Sequence, residues 1–465
     1  MATSDQRKTI FIAAFWLLLG GGRQSLAQDA ILPGPARLSA AQMLEKFGVD
    51  ASQQSSFFDG QALGPSEEDV IAKILYNLPR LGRASLFAWR QTSAPASALL
   101  SAPADHRFGV FRLRGRAIRA TRHALLPEQA ELYDFPIYFR VEVELTDAPN
   151  RAVLIARHVP AVWPLGEPLA EPIEADALFL KAGDPADNPP LLYFAAERVS
   201  WLPEKINPAL GVSAADVALA GAGFDIGLWD QVRQSQDHSL TAADREPFYQ
   251  LLAALTKEQS APAPTHETAS LDVIKLLAKP TEYQGGLFPL SGVARRITRI
   301  AVNDPDVRTR FGIDHYFEID LFLPLQGPSL RLSKPGKPAE GPRFENEFPA
   351  TLLVRELPAE LVESENVHQA ITADAVFFKV WAYRSSYTAQ FGQLQPSPLF
   401  IAHRPQLVVV EPANNWLTGT FALIALGLTL AVAFVTLWSQ TRHGKTAKRR
   451  NISAAIQIPN PQSDN

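Results

Sequence analysis

The chain contains a copy of itself. Residues 47–122 match residues 224–299 at a constant offset of 177, most plainly where Leu113, Gly115, Ala117, Arg119, Thr121 and Arg122 recur as Leu290, Gly292, Ala294, Arg296, Thr298 and Arg299. Further on, Ile173, Ala175, Asp176, Ala177, Phe179 and Lys181 recur as Ile371, Ala373, Asp374, Ala375, Phe377 and Lys379. A repeat this long is a duplicated domain, since solenoid modules recur every roughly 20–50 residues. The chain must therefore fold into something that works twice in tandem.

Each copy opens with a helical pattern. Ser66 and Asp69 stand at a cap ahead of the stripe Val70, Ile71, Ile74, Leu75 and Leu78. Thr241 and Asp244 do the same ahead of Phe248, Leu251, Leu252 and Leu255, with Pro247 tolerable if the helix starts near Asp244. Pro- and Ala-rich stretches at 92–104 and 259–269 predict extended linkers. The remainder alternates with period two: Ile137, Phe139, Val141, Val143 and Leu145 in one copy, Phe317, Ile319, Leu321 and Leu323 in the other.

Counting runs bounded by Pro or Gly predicts about five strands per copy, near 109–122, 136–145, 151–159, 172–182 and 191–201, and near 286–300, 314–325, 349–357, 370–383 and 398–410. A glycine inside a long first strand suits a small barrel in which that strand bends across both sides. The predicted fold is α+β, mainly β: two units, 34–208 and 209–412, each a helical lead-in plus a five-stranded OB-like barrel, with a sandwich as the other solution. An insertion distinguishing the copies, Pro328 to Pro349, predicts a surface loop.

The ends carry location signals. Arg7 and Lys8 precede the apolar run Ile10 to Leu19, and Ser25-Leu26-Ala27 suits a signal-peptidase site, so 1–27 is predicted to be a signal peptide. Trp416 to Trp438 is 23 residues without a charge and predicts a C-terminal transmembrane helix with tryptophan at both edges. The basic tail 439–465, with Arg442, Lys445, Lys448, Arg449 and Arg450, would stay cytoplasmic and the rest would be exported, periplasmic or extracellular. Of the net charge of −4, the leader contributes +2 and the tail +4, leaving −10 on the part between. An acidic exported body is a poor nucleic-acid binder. With no cysteine, disulfides, thiolate catalysis and iron–sulfur clusters are excluded.

Tandem units carrying an Ala-Asp-Ala-x-Phe-x-Lys strand and a following Pro-Leu run (Pro190-Leu191, Pro398-Leu399) resemble those of single-span envelope proteins of planctomycete-type bacteria. The resemblance implies an envelope location over most of the exported part. It implies no reaction, cofactor or catalytic residue.

Motifs for chemistry are sparse. No two of the nine histidines stand at i, i+2 or i, i+4, so metal-binding pairs are missing, and neither a nucleotide loop nor a nucleophile elbow occurs. No cofactor or metal is expected. Binding candidates are the residues kept in both copies: Arg119 and Arg296, Asp176 and Asp374, Lys181 and Lys379. Strict alternation puts Lys181 on the face of Ile173 and Phe179, so its ammonium should snorkel to the barrel rim. Asp176, between two alanines, should bond a neighbouring loop. The arginines 107, 112, 114, 116, 119 and 122 should pair with Glu131, Asp134, Glu142 and Glu144. The sequence reading is a membrane-anchored exported binding or scaffold protein of the bacterial envelope, contacting other envelope proteins. An envelope hydrolase with a site between the units, or an accessory subunit of a membrane complex, are the alternatives.

Overall fold

Alternating apolar residues build two sheets. In the first, β1 (Val110–Ala124), β2 (Ile137–Leu145), β3 (Arg151–His158), β4 (Pro168–Ala182), β5 (Leu191–Arg198) and β6 (Ser200–Trp201) lie in the order β1-β2-β3-β5-β4-β6, and a β1–β4 pairing closes the first five into a barrel. The second sheet repeats this with β7 (Leu287–Ala301), β8 (His315–Arg331), β9 (Arg343–Val354), β10 (Gln369–Tyr383), β11 (Gln395–Ala402) and β12 (Gln406–Leu407), ordered β11-β9-β8-β7-β10-β12 and closed by β10–β11. The β3–β5 and β9–β11 ladders are parallel and the other pairings antiparallel. These are OB-like barrels whose closure removes the sheet edges. The computed structural model describes residues 38–91, 96–146, 148, 150–187, 190–256, 271–332, 340–408 and 425–438.

The duplication extends to irregularities. Register shifts fall between Ala117 and Arg119 in β1 and between Ala294 and Arg296 in β7, then between Phe179 and Lys181 in β4 and between Phe377 and Lys379 in β10. The helices follow the offset too. Copy one has α1 (Ala40–Lys46), α2 (Ala51–Gln54), α3 (Pro65–Leu81), α4 (Arg83–Trp89), α5 (Ala96–Ser101), α6 (Pro103–His106) and, between β1 and β2, α7 (Pro127–Tyr133). Copy two has α8 (Ala214–Gly221), α9 (Trp229–Gln234), α10 (Arg245–Ala254), α11 (Val273–Ala278), α12 (Pro280–Tyr283) and α13 (Pro305–Phe311). Adding 177 to the bounds of α5 and α6 gives those of α11 and α12.

Burial explains the layering. Inside the first barrel Phe111, Leu113, Val141, Leu154, Phe179 and Phe194 pack together. Its outer face, with Leu178, Leu180, Tyr193 and Ile155, is covered by the stripe Val70, Ile71, Ile74, Leu75 and Leu78 of α3, each side chain contributing about 1.5–3 kcal/mol by leaving water. The second barrel has its own interior around Phe348, Phe377 and Phe400. Its outer face, with Tyr316, Val376, Phe378 and Ile401, joins α10 and the first barrel's interior in one continuous apolar cluster.

Several expectations need correction. The fold class with a C-terminal transmembrane helix does not hold: among the described residues no helix is long and apolar enough to cross a membrane. Of the expected span 416–438, residues 425–438 are helix and 416–424 lie outside the described residues. The architecture is mixed sheet and helix built on closed five-stranded barrels, each with a sixth two-residue strand. The expected signal peptide, the tail 439–465 and the second linker 259–269 lie outside the described residues. The first linker is largely helical, α5 and α6, because Ala and Leu are strong helix formers and Ala96 and Leu99 have a core to bury against. At both described ends of the expected loop Pro328 to Pro349 the chain is strand, since Ser329, Leu330 and Arg331 pair with Glu345, Phe344 and Arg343 and extend the β8–β9 hairpin; residues 333–339 lie outside the described residues. Gly64, ahead of Pro65, caps α3 in place of Ser66. The Pro-Leu runs are not equivalent: Phe179 pairs with Phe194 and Phe377 with Phe400, which aligns Pro398 with Leu192.

Candidate functional site

The bulge in each fourth strand decides where the repeated lysine goes. An extra residue between Phe179 and Lys181 turns Lys181 onto the face of its partner Tyr193, against α3, and away from the barrel rim. Its ammonium is fully buried and 2.7 Å from Glu67 Oε1, itself 3% exposed. Glu67 also accepts from the Phe58 N–H (2.9 Å) and the Gly64 N–H (2.7 Å), so one carboxylate caps the helix start and holds the lysine. In copy two Asp244, 177 residues on, takes the Thr241 N–H at 2.8 Å and lies 3.3 Å from the buried Lys379 ammonium. Neither lysine snorkels.

Ser235 enlarges the second pair. It donates to Asp244 Oδ1 at 2.5 Å and accepts from Lys379 Nζ at 2.8 Å. A serine–lysine pair occurs in some hydrolases, yet here the serine proton is committed to a carboxylate. None of these three residues lines either cavity described below. The cluster ties α9 and the 3₁₀ turn Ala242–Asp244 to β10.

A cleft of about 580 Å³ lies between the copies. The first copy supplies α4 and the outer residues of β1, β4 and β5; the second supplies α10 and the end of α13. Its wall holds the arginines 83, 90, 112, 198 and 310 and the acids Glu174, Asp176, Glu197, Asp225 and Glu246. Gly82, at φ 79°, turns the chain from α3 into α4 and so sends Arg83 across to the second copy. Arg83 bonds Glu197 at 2.9 Å and Glu246 at 2.7 Å, while Arg310 grips both oxygens of Glu246 at 2.8 and 2.7 Å. Arg198 faces Asp225 at 2.9 Å, and Asp225 also accepts from the Trp201 and Gly227 N–H groups. Arg112 pairs with Glu174.

These contacts set the ionisation states. Burial opposes the charge on Glu197 and Glu246, but Arg83 and Arg310 outweigh it and hold both carboxyls below their usual range. Asp176 goes the other way: burial raises its pKa, only partly opposed by Arg90 at 3.8 Å and by Arg112. A second, smaller cavity of about 370 Å³ lies on the first barrel's outer face near His123 and Arg140. His123 stacks on Tyr138 there, and burial lowers its pKa.

Of the six residues singled out from sequence, the structure brings only Asp176 into the cleft. Asp374 is exposed on the second barrel, and Arg119 is exposed at the β1 bulge. Arg296 is half-buried against Asp320 (3.0 Å) and Glu318 (3.7 Å). The arginine stripe pairs along a different edge than expected: Arg112 and Arg114 with Glu174, Arg116 with Glu204 and Arg107 with Asp59. Sequence reasoning missed Arg83, Arg90, Arg198, Glu197, Glu246 and Arg310. One signal was available, because Arg112 and Glu174 align with Pro289 and Thr372, which marks a face charged in one copy only.

Among the described residues no group of three or more His, Cys, Asp or Glu side chains is arranged to hold a metal ion. No family model matches the chain, and no curated protein does. Among solved structures it is similar to "a putative aspartyl-tRNA synthetase from Leishmania major Friedlin", at 11% identity and a TM-score of 0.17, over 51% of this chain and 48% of that one. The chain thus spans about half the length of that structure, and a likeness of that size carries no functional argument.

Proposed function

We propose that this chain is an exported binding protein that seats a small polar ligand in the cleft between its two copies without turning it over. The observation that supports this most is the locking of Glu197 and Glu246 by Arg83 and Arg310. Convergent charged groups with shifted pKa values are also what a hydrolase site needs. The direction of the shifts separates the two readings. A general base works best with a pKa near the operating pH, whereas Glu197 and Glu246 are pushed down and held as ionised hydrogen-bond acceptors. Burial pushes Asp176 and Asp225 up, and Asp225 is already engaged by Arg198 and two backbone N–H groups.

The test is a thermal-shift screen of the full chain against small polar molecules, run beside product assays with ester, amide and glycoside substrates. At least one polar class is expected to raise the melting temperature, the rise to vanish in Arg112→Ala, and no product to accumulate. Product formation abolished by one cleft substitution would transfer the chain to the hydrolases.

A further inference from the structure

The cleft's charges are unevenly committed. Arg83, Arg198 and Arg310 each have a carboxylate oxygen within 2.9 Å, and Arg112 is held by Glu174. Arg90 and Asp176 are different. They stand 3.8 Å apart, beyond hydrogen-bond reach, and Asp176 Oδ1 is buried without a hydrogen-bond partner among the described residues. Arg90 is steadied by lying over the Phe87 ring at 4.0 Å. This pair is therefore a cation and an anion side by side, without a hydrogen bond between them, in the wall of a cavity of ligand size.

We propose that the cleft binds the zwitterion of a free α-amino acid with an apolar side chain, its carboxylate on Arg90 and its ammonium on Asp176. An α-amino acid carries its two charges on one carbon, so it can lie antiparallel to the Arg90–Asp176 pair and meet both groups at once. The wall as a whole balances five arginines against five acids, which favours a ligand of no net charge over a polyanion or a polycation. Leu86, Phe87 and Phe311 supply an apolar surface for the side chain. Burial without a hydrogen bond leaves Asp176 Oδ1 short of a partner, and a ligand ammonium supplies one. Among the described residues the site occurs once, because the equivalent Asp374 is exposed.

This inference rests on the reading of the cleft as a binding site, and the probes separate the two. The full chain is titrated calorimetrically with L-leucine, L-valine and L-phenylalanine, then with leucinamide (cation only), N-acetyl-L-leucine (anion only) and 6-aminohexanoate (both charges, set far apart). Saturable binding of an amino acid at one site per chain is expected, with at least tenfold weaker binding of the three analogues. Arg90→Gln and Asp176→Asn should each weaken amino-acid binding at least tenfold while the far-UV spectrum is unchanged. Should either variant fail to fold, Phe87→Ala provides the second test, with a larger loss for L-leucine than for glycine. No saturable heat with any of the three amino acids, or equal binding of a single-charge analogue, overturns the proposal. If another polar class still shifts the melting temperature in the Arg112-dependent screen, the wider reading of the cleft survives that loss.

Discussion

Removing one member of a buried ion pair leaves an uncompensated charge, at a cost of about 3–5 kcal/mol. Lys181→Met is expected to destabilise the chain by about that amount, because Glu67 would keep its charge with no cation beside it. Adding Glu67→Gln should restore part of the loss, since it removes the uncompensated charge and its one amide oxygen still accepts from either the Phe58 or the Gly64 N–H, which bond different oxygens of Glu67. Urea unfolding of the single and double variants measures this, and a single variant as stable as wild type would return Lys181 to the solvent-facing role that strict alternation predicts. Glu318 shows the opposite case. Burial, with Asp320 adding to it and Arg296 opposing, pushes its carboxyl up to about 7 from an ordinary value of 4.5. The folded state therefore holds a proton that the unfolded state has released between those two pH values. Stability contributed by this group falls as pH rises from about 4.5 to 7, then stays low. Glu318→Gln should flatten that part of the profile, by an amount on the order of a few kcal/mol, in melts taken at intervals from pH 4.5 to 8. A variant profile parallel to wild type throughout would remove Glu318 from the account.

The strands show why repeated residues stay repeated. A Cβ added at Gly115 would stand 2.3 Å from the Glu144 carbonyl oxygen and 2.6 Å from Val143 Cγ1, and one at Gly292 would stand 2.5 Å from the Phe322 carbonyl oxygen. Backbone cannot swing aside as a flexible side chain can. Gly115→Ala and Gly292→Ala are each expected to cost about 1–3 kcal/mol or more by forcing a strand outward. Gly221→Ala, where the added carbon meets nothing within 4 Å, is the control and should be neutral or slightly stabilising. Equal denaturation midpoints for Gly115→Ala and Gly221→Ala would refute the close-approach account. A glycine held at one offset inside an alternating strand signals either a bend or a close neighbour, so this element is legible in the amino-acid sequence itself. The strand positions are legible there too, through the period of two. The face of Lys181 is not, since a bulge inserts one residue without altering local composition. The helices α7 and α13 also escape a reading by pattern; both are single short elements behind a proline at the first position. The cleft is the least legible feature: its acids and arginines come from α4, β1, β4, β5, the turn at Asp225, α10 and α13, far apart in sequence and without a spacing of their own.

At the scale of the molecule the two copies share one core. Trp229 is 4.8 Å from Phe224 and 6.1 Å from Phe378, and Phe248 of α10 meets Phe378 at 6.2 Å and Tyr316 at 5.4 Å. These rings belong to the apolar cluster that begins inside the first barrel and ends on the outer face of the second. Beside them Glu246 is the electrostatic link, gripped by Arg83 from one copy and Arg310 from the other. Removing it takes one carboxylate from each of two largely buried guanidiniums, leaving Glu197 on Arg83 and Asp306 on Arg310. Glu246→Ala is expected to destabilise the chain by about 1.5–3 kcal/mol, through the loss of its charge-assisted hydrogen bonds. The apolar cluster, which the substitution leaves in place, should still make the copies unfold together. Calorimetry is therefore expected to show one endotherm for wild type and one, at lower temperature, for Glu246→Ala. Two resolved endotherms in wild type would mean that each barrel is stable alone and that the shared core contributes little. Two endotherms in the variant only would mean that the ion-pair link, more than the shared apolar cluster, couples the copies.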